Sequence, residues 1–133
     1  MKMILISLLC AALGGIALAH GPVELGPNKG RIVEFSKDET MHGEITIKDG
    51  KFFIALLDKD MKPVALDKQT LAVTGGSRAK PMKLEVVKKD GSFVVPLVAD
   101  GEWIILQYKN DDSAEPIVAR VQYEKDAFFG HEH

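Results

Sequence analysis

Two dipeptides constrain this chain more than anything else in it. Asp49-Gly50 and Asp90-Gly91 each stand between two short runs of alternating apolar and polar residues. A two-residue type I′ turn needs φ > 0 at both central positions, which glycine adopts freely and aspartate tolerates, so Asp-Gly in this setting marks a tight antiparallel hairpin. The run before the first turn, "MHGEITIK" (Met41–Lys48), alternates cleanly. Met41, Ile45 and Ile47 fall on one face, and His42, Glu44 and Thr46 on the other.

"GRIVEF" (residues 30–35) is a short strand. "KFFIALLD" (Lys51–Asp58) completes the first hairpin, and "KDMKPVALD" (residues 59–67) is a turn with a short extended piece. "QTLAVTG" (residues 69–75) is a strand followed by the loop "GSRAKP". "MKLEVVKK" (residues 82–89) and "SFVVPLV" (residues 92–98) are the arms of the second hairpin. Pro96 has no N–H for a ladder, which assigns its strand to an edge or a bulge. Asp100-Gly101 turns the chain into "EWIILQYK" (residues 102–109), and "IVARVQYE" (residues 117–124) is the last strand. "FFIALL" and "WIILQY" are apolar on both faces, so they read as central strands, with Ile105 and Trp103 expected inside. Short strands at regular spacing with no helical period predict an all-β fold, an antiparallel β-sandwich of about seven to eight strands with Ig-like architecture. The expected division is a signal peptide at residues 1–19, an extended segment at 20–29, the sandwich at 30–124 and a tail at 125–133 without clear period.

The first residues have a different composition. Met1 and Lys2 are followed by the apolar stretch "MILISLLCAAL", then by "GGIALA", which supplies small residues at −3 and −1 of a cut after Ala19. This is the form of a cleaved secretory signal rather than of a membrane anchor. The expected location is therefore periplasmic or secreted, with no membrane insertion after cleavage. Cleavage removes Cys10, the one cysteine, and Lys2, one of 17 basic residues. That leaves 16 against 19 acidic ones, a formal charge of −3. Thiolate chemistry is thereby excluded, and mild acidity gives no electrostatic footprint for nucleic acid.

The functional reading rests on histidine. The chain has four, His20, His42, His131 and His133. Cut after Ala19, it begins with His20, whose α-amine and Nδ1 belong to one residue and close a six-membered chelate on Cu(II). Pro22 has no amide N–H, so wrapping of the ion by successive amides stops early, and side chains must complete the site. Imidazole suits copper. His42 or the terminal "HEH" (His131, His133) can provide it, and Glu44, on the face of His42, can ligate or support a ligand. The connection from Gly21 to Lys29 spans roughly 30 Å if extended, enough to fold back along a strand. Other constellations fail. No serine lies in a G-x-S-x-G turn. "TGGS" (residues 74–77) has no following helix to bind phosphate. Asp58, Asp60 and Asp67 lack EF-hand spacing. The methionines are too scattered for a Cu(I) cluster.

The layout "HGP…GPNKGRIVEF…MHGEITIKDGKFFIALLDKDMKPV" resembles small exported bacterial β-sandwich proteins found alongside heavy-metal efflux components. Those often read H-G-G…V-E…H-x-E, then a strand ending in L-x-D-x-D-x-K-P-V. The resemblance covers residues 20–64 and implies envelope metal-efflux components as partners. Lys29 and Asn28 depart from the pattern. His20 alone is similar to the N-terminal histidine of periplasmic copper-resistance carriers. The resulting expectation is a non-enzymatic exported protein, a Cu(II) carrier or sequestering protein using His20. A structural or interaction module of the envelope without metal is the alternative, and an N-terminal-histidine copper oxygenase is a third reading.

Overall fold

Both Asp-Gly turns form as the sequence requires. In a computed structural model describing residues 23–130, φ is 54° and 73° at Asp49 and Gly50, and 53° and 78° at Asp90 and Gly91. Around them the chain makes ten strands, namely β1 (Arg31–Glu34), β2 (Met41–Lys48), β3 (Lys51–Asp58), β4 (Pro63–Val64), β5 (Thr70–Gly76), β6 (Pro81–Leu84), β7 (Val87–Lys89), β8 (Ser92–Pro96), β9 (Trp103–Lys109) and β10 (Ile117–Gln122). One antiparallel sheet runs β1-β2-β3-β8-β7 with β4 beside β3, and the other runs β10-β9-β5-β6. β3 and β9, the two strands apolar on both faces, are interior, as expected.

Residues 1–22 and 131–133, which include the expected signal peptide, His20, His131 and His133, lie outside the described residues. Among the described residues no helix is long and apolar enough to cross a membrane.

The two sheets share one core. Ile45, Phe52, Ile54, Leu56 and Val95 of the first sheet and Ile104 and Leu106 of the second are fully buried. Phe35, just after β1, stacks on Tyr108 of β9 with ring centroids 4.8 Å apart, tying one sheet to the other. Gly43 makes this possible, because a Cβ there would lie 2.4 Å from the Phe35 ring.

Four expectations are corrected. Residues 82–89 are not one hairpin arm. β6 pairs with β5 and β7 with β8, so the chain changes sheets at Glu85-Val86. A strand that switches sheets closes the end of a sandwich, and continuous alternation hides the bend. Pro96 is on neither an edge strand nor a bulge. β8 lies between β3 and β7, and Pro96 is tolerated because β7 reaches only as far as Val94. Ile105 faces outward and is half-buried, while its neighbour Ile104 occupies the core. The segment after residue 124 belongs to the fold, because Phe128 is buried against Phe52 and Tyr123.

The "LxDxDxKPV" stretch is turn chemistry. Asp58 Oδ1 accepts the backbone N–H groups of Asp60 (2.8 Å) and Lys62 (3.0 Å), and Met61 takes φ of 62°. Those bonds, the one from Lys62 foremost, hold the Asp58 carboxyl below its usual range. The support this turn gives the fold is accordingly present at neutral pH and fades as pH falls below about 4.

Candidate functional site

Two rows that mix polar and apolar residues lie on the face of β1 and β2 away from the core. Glu34 pairs with His42, which pairs with Leu57 of β3. Ile32 pairs with Glu44, which pairs with Ala55. An outward-facing row on a three-strand meander is ordinarily solvated, yet His42 is 5% exposed and Glu44 only 1%. The turn preceding β1 folds over Glu44, and Glu44 holds it there.

That segment is a turn of defined chemistry. Lys29 N–H donates to the Gly26 carbonyl and Gly26 N–H to the Gly30 carbonyl, each at 2.9 Å, with Lys29 at φ 63°. Pro27 suits the second position of such a turn, and the left-handed residue that follows suits glycine. Glu44 fastens the turn from below. Oε2 accepts the backbone N–H groups of Asn28 (2.8 Å) and Gly30 (2.9 Å), and Oε1 accepts Asn28 Nδ2 (2.9 Å). Gly30 cannot carry a Cβ, which would sit 2.7 Å from Glu44 Cγ and from the Ile45 carbonyl oxygen. Replacing Lys29 with glycine should remove the left-handed strain and stabilise the domain by about 0.5–1 kcal/mol, read from the urea unfolding midpoint.

The turn also sets a direction. Ile32 N–H donates to the Glu24 carbonyl at 3.0 Å, and Leu25 bridges Arg31 antiparallel. Residues 24–26 thus run back along the free edge of β1, toward Glu34 and His42. Glu34 lies two residues beyond Ile32, roughly 7 Å. The far end of the chain arrives elsewhere. The Phe128 carbonyl accepts Arg31 Nη1 at 3.4 Å, three residues along β1 from Glu34.

His42 is held by its Nδ1, which lies 2.9 Å from Glu34 Oε1 and 3.0 Å from Oε2. A carboxylate only accepts, so Nδ1 carries the proton. In the neutral ring the lone pair is then on Nε2, which has no partner among the described residues. A carboxylate behind the Nδ1 of an imidazole is the usual way that a metal-ligating histidine is oriented.

The five residues expected at a metal therefore divide. His42 stands with an oriented ring. Both Glu44 oxygens accept hydrogen bonds from the turn. His20, His131 and His133 lie outside the described residues. Among the described residues no three His, Cys, Asp or Glu side chains are grouped so as to hold a metal ion. Glu34 was missed from the sequence, although pairing residues 31–34 with 42–45 across their loop places it opposite His42. Trp103, expected in the core, is 37% exposed on the outer face of the other sheet. No family model, no curated protein and no solved structure matches this chain.

Proposed function

We propose that this chain is an exported, non-enzymatic metal-binding protein that holds Cu(II) through His20, the first residue after cleavage behind Ala19, with His42 as the second imidazole. The return of residues 24–26 along β1 carries the reading. From Glu24 the four preceding residues reach about 13 Å, which brings His20 within range of His42. The α-amine and Nδ1 of His20 supply the chelate, Pro22 stops further amide wrapping, and Glu34 aims Nε2 of His42. Glu44 is a positioning residue, because the turn it fastens points the chain at His42. The terminal His131 and His133 are alternative imidazoles, three and five residues past Phe128, whose carbonyl accepts Arg31 Nη1. The proposed role is carriage or sequestration of copper in the periplasm or outside the cell. The resemblance to proteins found beside heavy-metal efflux components makes such components the proposed partners.

The test is Cu(II) titration of tag-free protein whose intact mass shows that it starts at His20, followed by electron paramagnetic resonance. One equivalent should bind with nitrogen ligation. Acetylating the N-terminus leaves the imidazole and removes the amine, and it should weaken binding about 100-fold or more. His42→Ala should cost about 10- to 100-fold, and affinity should fall with pH as protons compete for the ligands. Equal binding by free and acetylated protein would sink the proposal and leave an interaction module without metal.

A further inference from the structure

The outer face of the four-stranded sheet carries a second site, independent of the histidines. Thr74, Ile105 and Arg120 lie side by side on β5, β9 and β10. In the next row Gly76 stands opposite Trp103. Gly76 has φ of 108°, and a Cβ there would meet the Lys80 carbonyl oxygen at 2.7 Å, so backbone geometry keeps this position without a side chain. No side chain from Gly76 covers the neighbouring indole, and a cleft of about 340 Å³ opens beside it, with Arg78 of the following loop on its rim. That volume is within the range of small-molecule sites.

The chemistry of the walls is one-sided. Trp103 and Ile105 give an apolar floor, and Arg78 and Arg120 are the charged groups, with no carboxylate in the lining. Among the described residues neither guanidinium has a carboxylate within 4.0 Å, and neither makes a hydrogen bond. Two guanidiniums without a carboxylate partner among the described residues stand beside one indole in a chain that is −2 overall. Guanidinium is a planar donor fork matched to carboxylates, and an indole face accepts a flat ring. We infer that this cleft binds a small aromatic carboxylate, its ring on Trp103 and its anionic group at Arg78 and Arg120.

Trp103 is the only tryptophan in the chain, so its indole N–H resonance reports on the cleft alone. Protein that starts at His20 and runs to His133 is titrated with 2-naphthoate, with the neutral 2-naphthalenemethanol, and with acetate, and followed by ¹H–¹⁵N correlation spectra. A saturable shift of the indole signal is expected with naphthoate. Binding of the alcohol should be about tenfold weaker, the worth of one charge-assisted contact. Acetate, which has no ring to stack, should leave the signal in place. Arg78→Gln and Arg120→Gln should each weaken naphthoate about fivefold or more while leaving the alcohol unchanged. The unaltered amide spectrum of each variant shows that the fold is kept. The inference is overturned if naphthoate gives no saturable shift, if naphthoate and the alcohol bind alike, or if the doubly substituted protein binds naphthoate like the parent.

Discussion

Replacing Phe128 with alanine should destabilise the domain by about 3–5 kcal/mol, the usual cost of emptying a buried aromatic site. Phe128 is 1% exposed. Its ring lies 5.8 Å from Phe52, 5.5 Å from Tyr123 and 5.0 Å from Phe129, with the Arg31 guanidinium 5.1 Å from its centroid. Phe52 is itself fully buried, so a void at Phe128 opens directly into the core. Backbone bonds from Ala127 to Glu124 and from Gly130 to Ala127, 2.9 and 3.0 Å long, fix the turn that delivers the ring. Domains of this size hold together by about 5–15 kcal/mol in total, so the variant should be only marginally folded at 37 °C. Urea unfolding of Phe128→Ala beside Phe129→Ala provides the comparison, since Phe129 is only partly buried. A loss under about 1 kcal/mol at Phe128, the scale of a surface change, would return residues 125–130 to the status of a tail.

Glu44→Ala should cost about 3 kcal/mol and release the N-terminal segment. Three N–H groups, two from Asn28 and one from Gly30, lose a carboxylate that accepts all of them at 2.8–2.9 Å. Hydrogen bonds to charged groups contribute more than neutral ones, and the Gly30 amide, in a buried residue, is left with little water to replace its partner. Glu44→Gln should cost only about 1 kcal/mol, because one amide oxygen can keep both backbone donors and the Asn28 amide can turn to accept. Hydrogen exchange at Ile32 reads the consequence, since its N–H is bonded to the Glu24 carbonyl and opens when residues 24–26 leave the edge of β1. Protection at Ile32 should fall sharply in Glu44→Ala and little in Glu44→Gln. Unchanged protection in Glu44→Ala would mean that the segment docks without the carboxylate. On the proposed function, Cu(II) affinity falls in the same order.

Local chemistry was legible in the sequence. Met41–Lys48 and Lys51–Asp58 have the bounds their alternation predicts, because a type I′ turn at Asp49-Gly50 fixes register within a few residues. The interior placement of β3 and β9 followed from their having apolar residues on both faces. The candidate site was legible only in part. His42 and Glu44 were rightly placed on one face, where Glu44 was expected to ligate or support a ligand, and its hydrogen bonds to Asn28 and Gly30 have no local signal. The burial of Glu44 depends on the turn at residues 26–30, which folds over it.

What only the tertiary structure decided was every choice between equivalent alternatives. A period of two says that Ile104 and Ile105 face opposite ways but not which of them meets the core. The facing sheet settles that, and it puts Ile104 inside and leaves Trp103 beside an open cleft. The continuous alternation of residues 82–89 is compatible with either sheet, and the chain uses both. Phe128 has no periodic neighbours to mark it as core, and Glu44 has no local signal that its partners lie 14 and 16 residues earlier. Turn geometry is written in adjacent residues. Inside and outside are set by contacts between segments far apart in the chain, and only closing the two sheets on each other brings those segments together.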